Sequence, residues 1–476
     1  MPRLVRHRRR LSLSRPIAGL ALAGLVLAAC GGGGGGSKGS PTAKPSDLPA
    51  CPLGAIAKAA SKPVTITMWH SMSMANEATL KALTDRFNAS QPDVRVQLVN
   101  ETSYDDTLTN YKAALGGGTL PDLVQIQDVD QQLMIDSKSI LPVESCIRAD
   151  KYPVDDLIPR VNAYYTVRGV QYALPFSVSN PVLYYNRVAF QKAGLDPDKP
   201  PTTLDEVRTA AQKMQASGVT KYGIALKIET WHLEEWLAMA GQPFVNNGNG
   251  RDKRATKTAF DSAQGQAIFQ WLAQMSKDGV LQTMPASGYD NMFAVANGVA
   301  GMTVDTSAVL GTAVQLLASG QYKDVSLGTA KLPGPGTGGG GTVVAGSALY
   351  IPDKNAPEKQ EAAWRFARFL TEPQQMADWA AGTGYIPINE KSVQLPTITD
   401  LWAKTPGFRV AYDQLLAGQE NTASAGALIG DFEGVRRAIV SAEESVFQGA
   451  DPAKALSDAA AQGDRAIADY EARVGG

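Results

Sequence analysis

Side chains able to do chemistry are sparse in this 476-residue chain, and their spacing suits catalysis poorly. Asp105-Asp106, Glu234-Glu235 and Glu443-Glu444 supply carboxylates. Neighbours in sequence do not form the opposed pair, about 5 to 9 Å apart, that glycoside hydrolysis needs. Glu443 and Glu444 fall in a predicted helix, where adjacent residues point apart and read as a solvated face. Only His70 and His232 follow the N-terminal segment, so neither a Ser-His-Asp array nor a His-rich metal site is expected. The Gly- and Pro-rich run 333–341 lacks the Gly-Lys-Ser/Thr that completes a phosphate loop, and it precedes a strand, so it reads as a connection. No catalytic residue, cofactor or metal is expected, and a secreted glycosidase is kept only as a remote alternative.

The three cysteines point elsewhere. Arg3, Arg6, Arg8, Arg9, Arg10 and Arg15 lead into the apolar stretch 17–29, which is shorter than the ~20 residues of a bilayer span and reads as a secretory signal. Leu27-Ala28-Ala29-Cys30 resembles a lipobox, in which the Cys30 thiol takes lipid before residues 1–29 are removed. Residues 30–50, opening on six glycines, form a tether suited to an anchored head. Cys51 and Cys146 are then left in an oxidising compartment and are expected to pair. Overall, 45 Lys and Arg balance 46 Asp and Glu, but the arginine-rich signal holds no acid, so the remainder is acidic and unsuited to nucleic acid.

The elements that must position any site alternate in type. Val64, Ile66 and Met68 alternate with Thr65 and Thr67 as in a strand; Leu80, Leu83 and Phe87 recur at helical spacing; Val94, Val96 and Leu98 alternate again. A helix over 104–115 ends at Gly116-Gly117-Gly118, and a strand follows at 123–126. Further helices are predicted at 204–216, 267–277 and 307–318, with strands at 182–186 and 299–304 and a helical remainder from Pro357. Trp364, Phe369 and Trp379 read as core. The pattern is that of an α/β fold with helices on both faces of its sheets.

Several strings, in order from about residue 64, resemble the family-1 extracellular solute-binding proteins of ABC importers, and within them the glycerol-phosphate-binding branch. They are Trp69-His70-Ser71-Met72, Arg86-Phe87-Asn88-Ala89, the stretch from Pro175-Phe176-Ser177 to Tyr184-Tyr185-Asn186, Ala193-Gly194-Leu195-Asp196-Pro197, Gly241-Gln242-Pro243-Phe244 and Thr383-Gly384-Tyr385-Ile386-Pro387-Ile388. The resemblance implies a two-lobed, type II-like periplasmic-binding-protein fold that closes on a ligand by a hinge. It places 51–176 and 299–345 in one lobe and 177–298 and 346–476 in the other. It also implies a monomer, exported and held at the outer face of the membrane or in the periplasm, that passes a small polar ligand to two permease subunits.

Carried over by position, the family's site falls on Tyr104, Asp128 (one methylene shorter than the family's Glu), Ser179, Thr306, Gly346 and Tyr385. The phosphate-binding Arg of the glycerol-phosphate branch is replaced by Leu428, and an apolar side chain leaves phosphate oxygens without a partner. The branch's stacking tryptophans align near Lys227 and Thr230, so Trp231, one residue on, is taken as the stacking residue ahead of Trp236. Lys227 could supply the missing charge, whereas Arg436 and Arg437 read as a solvated helix face. These departures favour a neutral carbohydrate or polyol over glycerol 3-phosphate or a glycerophosphodiester.

Overall fold

The computed structural model describes residues 47–336 and 338–475; the signal segment 1–29, Cys30 and the tether as far as residue 46 lie outside the described residues. Val64, Ile66 and Met68 point into the core from β1 (Val64–His70), with Thr65 exposed between them. β1 pairs in parallel with β2 (Val94–Asn100), and the helix Met74–Ser90 makes the crossover that a parallel pair requires. The next helix, Tyr104–Leu115, starts where the Ser103 hydroxyl accepts the Asp106 backbone N–H at 3.0 Å. It returns the chain to β3 (Leu123–Gln127), on the other side of β1. β4 (Ile140–Leu141) follows, and then a short hairpin, β5 (Thr166–Val167) and β6 (Val170–Gln171).

β7 (Leu174–Ser179) and β8 (Pro181–Asn186) are buried at every position, as expected of strands covered on both faces. They nevertheless belong to different sheets. β7 pairs with β13 (Ala345–Pro352) in the first sheet, ordered β2-β1-β3-β13-β4. β8 lies in the second, ordered β10-β9-β11-β8-β12, which also holds β9 (Tyr222–Lys227), β10 (Leu281–Met284), β11 (Ala300–Thr306) and β12 (Leu327–Lys331). The chain therefore crosses between sheets at Asn180 and again between β12 and β13, where the run 333–341 lies. Asn180 joins the two crossings: its amide donates to the Ala411 carbonyl at 3.1 Å and to the Thr342 hydroxyl at 3.4 Å, and its oxygen accepts from Gln414 at 3.1 Å.

This sheet membership corrects the expected division of the chain. Within segment 299–345 the strands β11 and β12 lie in the second sheet, contrary to the expectation, while the helix Leu310–Ala318 packs on the first sheet's cluster as expected; β13, Ser177 and Ser179 belong to the first sheet. The physical reason is that alternation marks a strand without selecting its neighbour. β11 is held by parallel pairing to β9 and antiparallel pairing to β8.

Helices Pro357–Leu370 and Pro373–Thr383 bring the fully buried Trp364 and Trp379 to the first sheet's cluster, while Phe432–Phe447 and Pro452–Val474 pack with Ala263–Lys277 in the second. Cys51 and Cys146 are disulfide-bonded, tying the chain ahead of β1 to the helix Val143–Asp150. Among the described residues no helix is long and apolar enough to cross a membrane.

Candidate functional site

A cleft of about 540 Å³ opens between the two sheets, and Tyr104, Asp128, Ser179, Trp231, Thr306, Gly346 and Tyr385 all line it. Five of them stand at the end or start of an element. Tyr104 opens a helix, Asp128 follows β3, Ser179 ends β7, Thr306 ends β11 and Trp231 opens the helix Trp231–Met239.

On the first sheet's side the Tyr104 hydroxyl bonds to the Tyr385 hydroxyl at 3.2 Å and to Ser347 at 3.3 Å. Tyr385 lies flat on Trp379, ring centres 5.2 Å apart, and Trp379 lies on Phe176 at 4.7 Å, so the cleft wall is backed by a stack of three rings. Burial raises the pKa of both tyrosines, which keeps their hydroxyls protonated as donors. Asp128 is 5% exposed and accepts two bonds, from the Tyr164 hydroxyl at 2.9 Å and from the Gly346 backbone N–H at 3.0 Å. Burial pushes its pKa up to about 7, against the charge of Arg436 and the bond from Tyr164. Neighbouring Asp130 is raised to about 7 in the same way.

Gly346 has a left-handed φ of +112°, and a Cβ there would stand 1.9 Å from the Ser177 carbonyl oxygen. The glycine is thus required by the crossing of β7 and β13, beside which their register shifts. Its N–H is what it offers the site.

The second sheet's side carries charge. The Lys227 ammonium pairs with Asp305 at 3.0 Å; burial works against that charge, but Asp305 and Glu229 raise its pKa. Arg436 does not lie on a solvated face. It lines the cleft, its guanidinium sits over the Phe432 ring at 5.0 Å, and it donates to both oxygens of Glu234, at 2.9 and 3.0 Å. Arg437 is on the outer face with Glu433. Glu443 also departs from the expected solvated face: it is 3% exposed, and burial holds its pKa well above the usual carboxylate range. Glu229 lines the cleft, and burial raises its pKa to about 7. Trp231 is half-buried in the cleft wall, whereas Trp236 is buried, donating to the Pro333 carbonyl at 3.0 Å and packing edge-on to Trp271. Thr306 caps the turn Ser307–Val309 by accepting the Ala308 N–H at 3.2 Å. Leu428 packs in the core and does not line the cleft.

Sequence reasoning missed Tyr289, Ser73 and Asn76. The Tyr289 hydroxyl bonds to Ser73 at 3.1 Å, and the Asn76 amide donates to the Ala308 carbonyl at 3.2 Å. Both bonds run from the chain after β1 to segments flanking β11 that pack on the first sheet's cluster. No motif surrounds Tyr289; a tyrosine beside Gly288 at a helix start was the sole local signal.

Chemically the cleft offers phenol and hydroxyl donors, carboxyl acceptors and an indole face, the groups that ligands rich in hydroxyls and C–H surface require. His232 cannot serve as a base here: it is buried against Trp236, and burial lowers its pKa to about 4. Among the described residues no group of three or more His, Cys, Asp or Glu is placed to hold a metal ion.

The sequence model of the family described as bacterial extracellular solute-binding protein matches residues 82–409. The sn-glycerol-3-phosphate-binding periplasmic protein UgpB of Escherichia coli K12 is 29% identical over 416 residues, covering 86% of this chain and 93% of that protein. Among solved structures, UgpB from Mycobacterium tuberculosis in complex with glycerophosphocholine superposes with a TM-score of 0.71 at 23% identity, over 86% of this chain and 99% of that one. The cyclic α-maltosyl-1,6-maltose binding protein from Arthrobacter globiformis superposes with a TM-score of 0.68 at 24% identity, over 86% and 100%.

Proposed function

Since the chain belongs to the bacterial extracellular solute-binding protein family of ABC importers, we propose that it is a lipid-anchored receptor capturing a neutral carbohydrate or polyol between its two sheets. The observation that carries this reading is the charge balance of the cleft. Both cations that line it are already matched, Lys227 by Asp305 at 3.0 Å and Arg436 by both oxygens of Glu234. Asp128 and Glu229 add acidic groups beyond those pairs. A phosphate dianion entering this cleft would have to break an ion pair to find a partner, whereas sugar hydroxyls can use the carboxyls, Tyr104 and Tyr385 as they stand. Trp231 offers the flat apolar face that the C–H side of a sugar ring needs.

The ligand is held and released without chemical change, and closure of the two halves around it presents the occupied form to the permeases. The anchor is proposed at Cys30, and the receptor acts as a monomer. A phosphorylated ligand is the second reading, favoured because Lys227 and Arg436 both line the cleft. Calorimetry of the purified protein with maltose-type sugars, ribitol-like polyols, glycerol 3-phosphate and glycerophosphocholine separates the two. Micromolar or tighter binding of a neutral sugar or polyol is expected, and binding confined to the two phosphorylated compounds would reverse the order.

A further inference from the structure

Away from the cleft, a pocket of about 140 Å³ lies between the helix Pro159–Tyr165 and the loop around Asn421, well above the ~10–15 Å³ that one water needs. Arg160, Tyr164 and Arg251 line it. Arg160 is 7% exposed and donates only to backbone carbonyls, those of Leu415, Gly418 and Thr342. Arg251 donates to the carbonyls of Gly426 at 2.8 Å and Tyr164 at 3.0 Å and lies over the Tyr164 ring at 4.7 Å. Its remaining nitrogen, Nη2, is buried with no hydrogen-bond partner.

Neither guanidinium is in an ion pair among the described residues. The contrast with Arg254, three residues on, is direct: it is paired to both Asp136 and Glu471. Hydrogen bonds to neutral carbonyls do not offset the cost of burying a cation, and burial lowers the pKa of both Arg160 and Arg251, although the charges of Glu420 and Glu235 act on Arg160 through space in the opposite sense. Glu420, the carboxylate that lines the pocket, is exposed at its rim.

We propose that this pocket is a second binding site, separate from the cleft, that takes a small oxyanion of the phosphate class between Arg160 and Arg251. A guanidinium fork with free N–H groups is the side chain best shaped for such an ion. The two arginines come from different halves of the fold, since Tyr164 packs in the first sheet's cluster and Arg251 follows the loop that feeds the second. The ion would therefore bridge the halves.

The test is a calorimetric and thermal-melt titration of the purified protein with inorganic phosphate, with sodium chloride at matched ionic strength as the blank and acetate as the carboxylate arm. Saturable phosphate binding is expected, at least tenfold weaker in Arg251→Gln and a few-fold tighter in Glu420→Gln. Glu420 is exposed, so the second variant keeps the test usable where the first fails to fold. No effect beyond the chloride blank, binding of acetate but not phosphate, or phosphate binding indifferent to Glu420→Gln would overturn the proposal. So would phosphate binding that survives Arg251→Gln and disappears in Lys227→Met, because the ion would then occupy the cleft; that outcome bears on the ligand of the cleft and leaves the transport reading intact.

Discussion

Asp128 and Gly346 meet at one hydrogen bond, and that bond holds the cleft's central carboxyl in place. A methyl group at 346 would meet the Ser177 carbonyl oxygen at 1.9 Å, on a backbone with φ of +112° that side-chain-bearing residues rarely adopt. Backbone at both β7 and β13 would have to move. Gly346→Ala is expected to cost about 3 kcal/mol of stability, read as a lower urea midpoint with an unchanged m-value, together with weaker ligand binding because the Asp128 acceptor shifts. A variant as stable as the parent would show that the two strands can separate at no cost. The positions carried over from the family resemblance all line the cleft, though it was the resemblance and not any local pattern that pointed to them. Arg436 was not legible, for a physical reason: an arginine on an amphipathic helix reads identically whether it faces water or a cleft, until the rotation of the helix Phe432–Phe447 against Phe432's neighbours is known. Gly346 was placed at the site, while its need for glycine, a clash between strands far apart in sequence, lay beyond any local pattern.

At the scale of elements, the alternation of β1 and the capped helix Tyr104–Leu115 were readable because their causes are local. The partners of β11, β12 and β13 were not, since register and sheet edge are set by residues far away in sequence, from Ala300 against Tyr222 to Ala345 against Ser179. The bond between Cys51 and Cys146 is a long-range constraint of this kind, with a sequence separation of 95. Closing a loop of that size removes unfolded-state entropy worth about 5 kcal/mol on the chain-entropy account. The intact mass of the denatured, unreduced protein is expected not to change on alkylation at these two positions. After reduction both thiols should alkylate and the urea midpoint should fall, while ligand affinity at moderate temperature stays within about twofold, because neither cysteine lines the cleft. Alkylation of Cys51 before reduction would remove the bridge from the protein in solution.

For the whole molecule, the unusual feature is how many acidic groups are buried around the line where the halves meet. Burial raises the pKa of Asp128, Asp130 and Glu229 to about 7 each, from ordinary values near 4. Between those limits the folded protein holds protons that the unfolded chain has released, so these groups favour folding at low pH and lose that contribution as pH rises through about 7. His232 works the other way: with its pKa lowered to about 4, the unfolded chain binds its proton first, and folding gains as pH rises from about 4 to 6.5. His70, lowered by burial, adds to that opposing effect. Glu235 and Glu443, also raised by burial, act in the same sense as these three, so the carboxyls outweigh the two imidazoles in number, and above pH 6.5 the imidazoles no longer contribute. The carboxylates with lowered pKa, such as Glu361, lose their contribution only below the ordinary carboxylate range and leave this window untouched. The urea midpoint of the ligand-free protein should therefore be higher at pH 5.5 than at pH 8. Asp128→Asn removes one of these titrations and should flatten the slope between those limits. A midpoint that stays level or climbs from pH 5.5 to 8 would mean that the halves open enough in solution for water to reach these carboxyls.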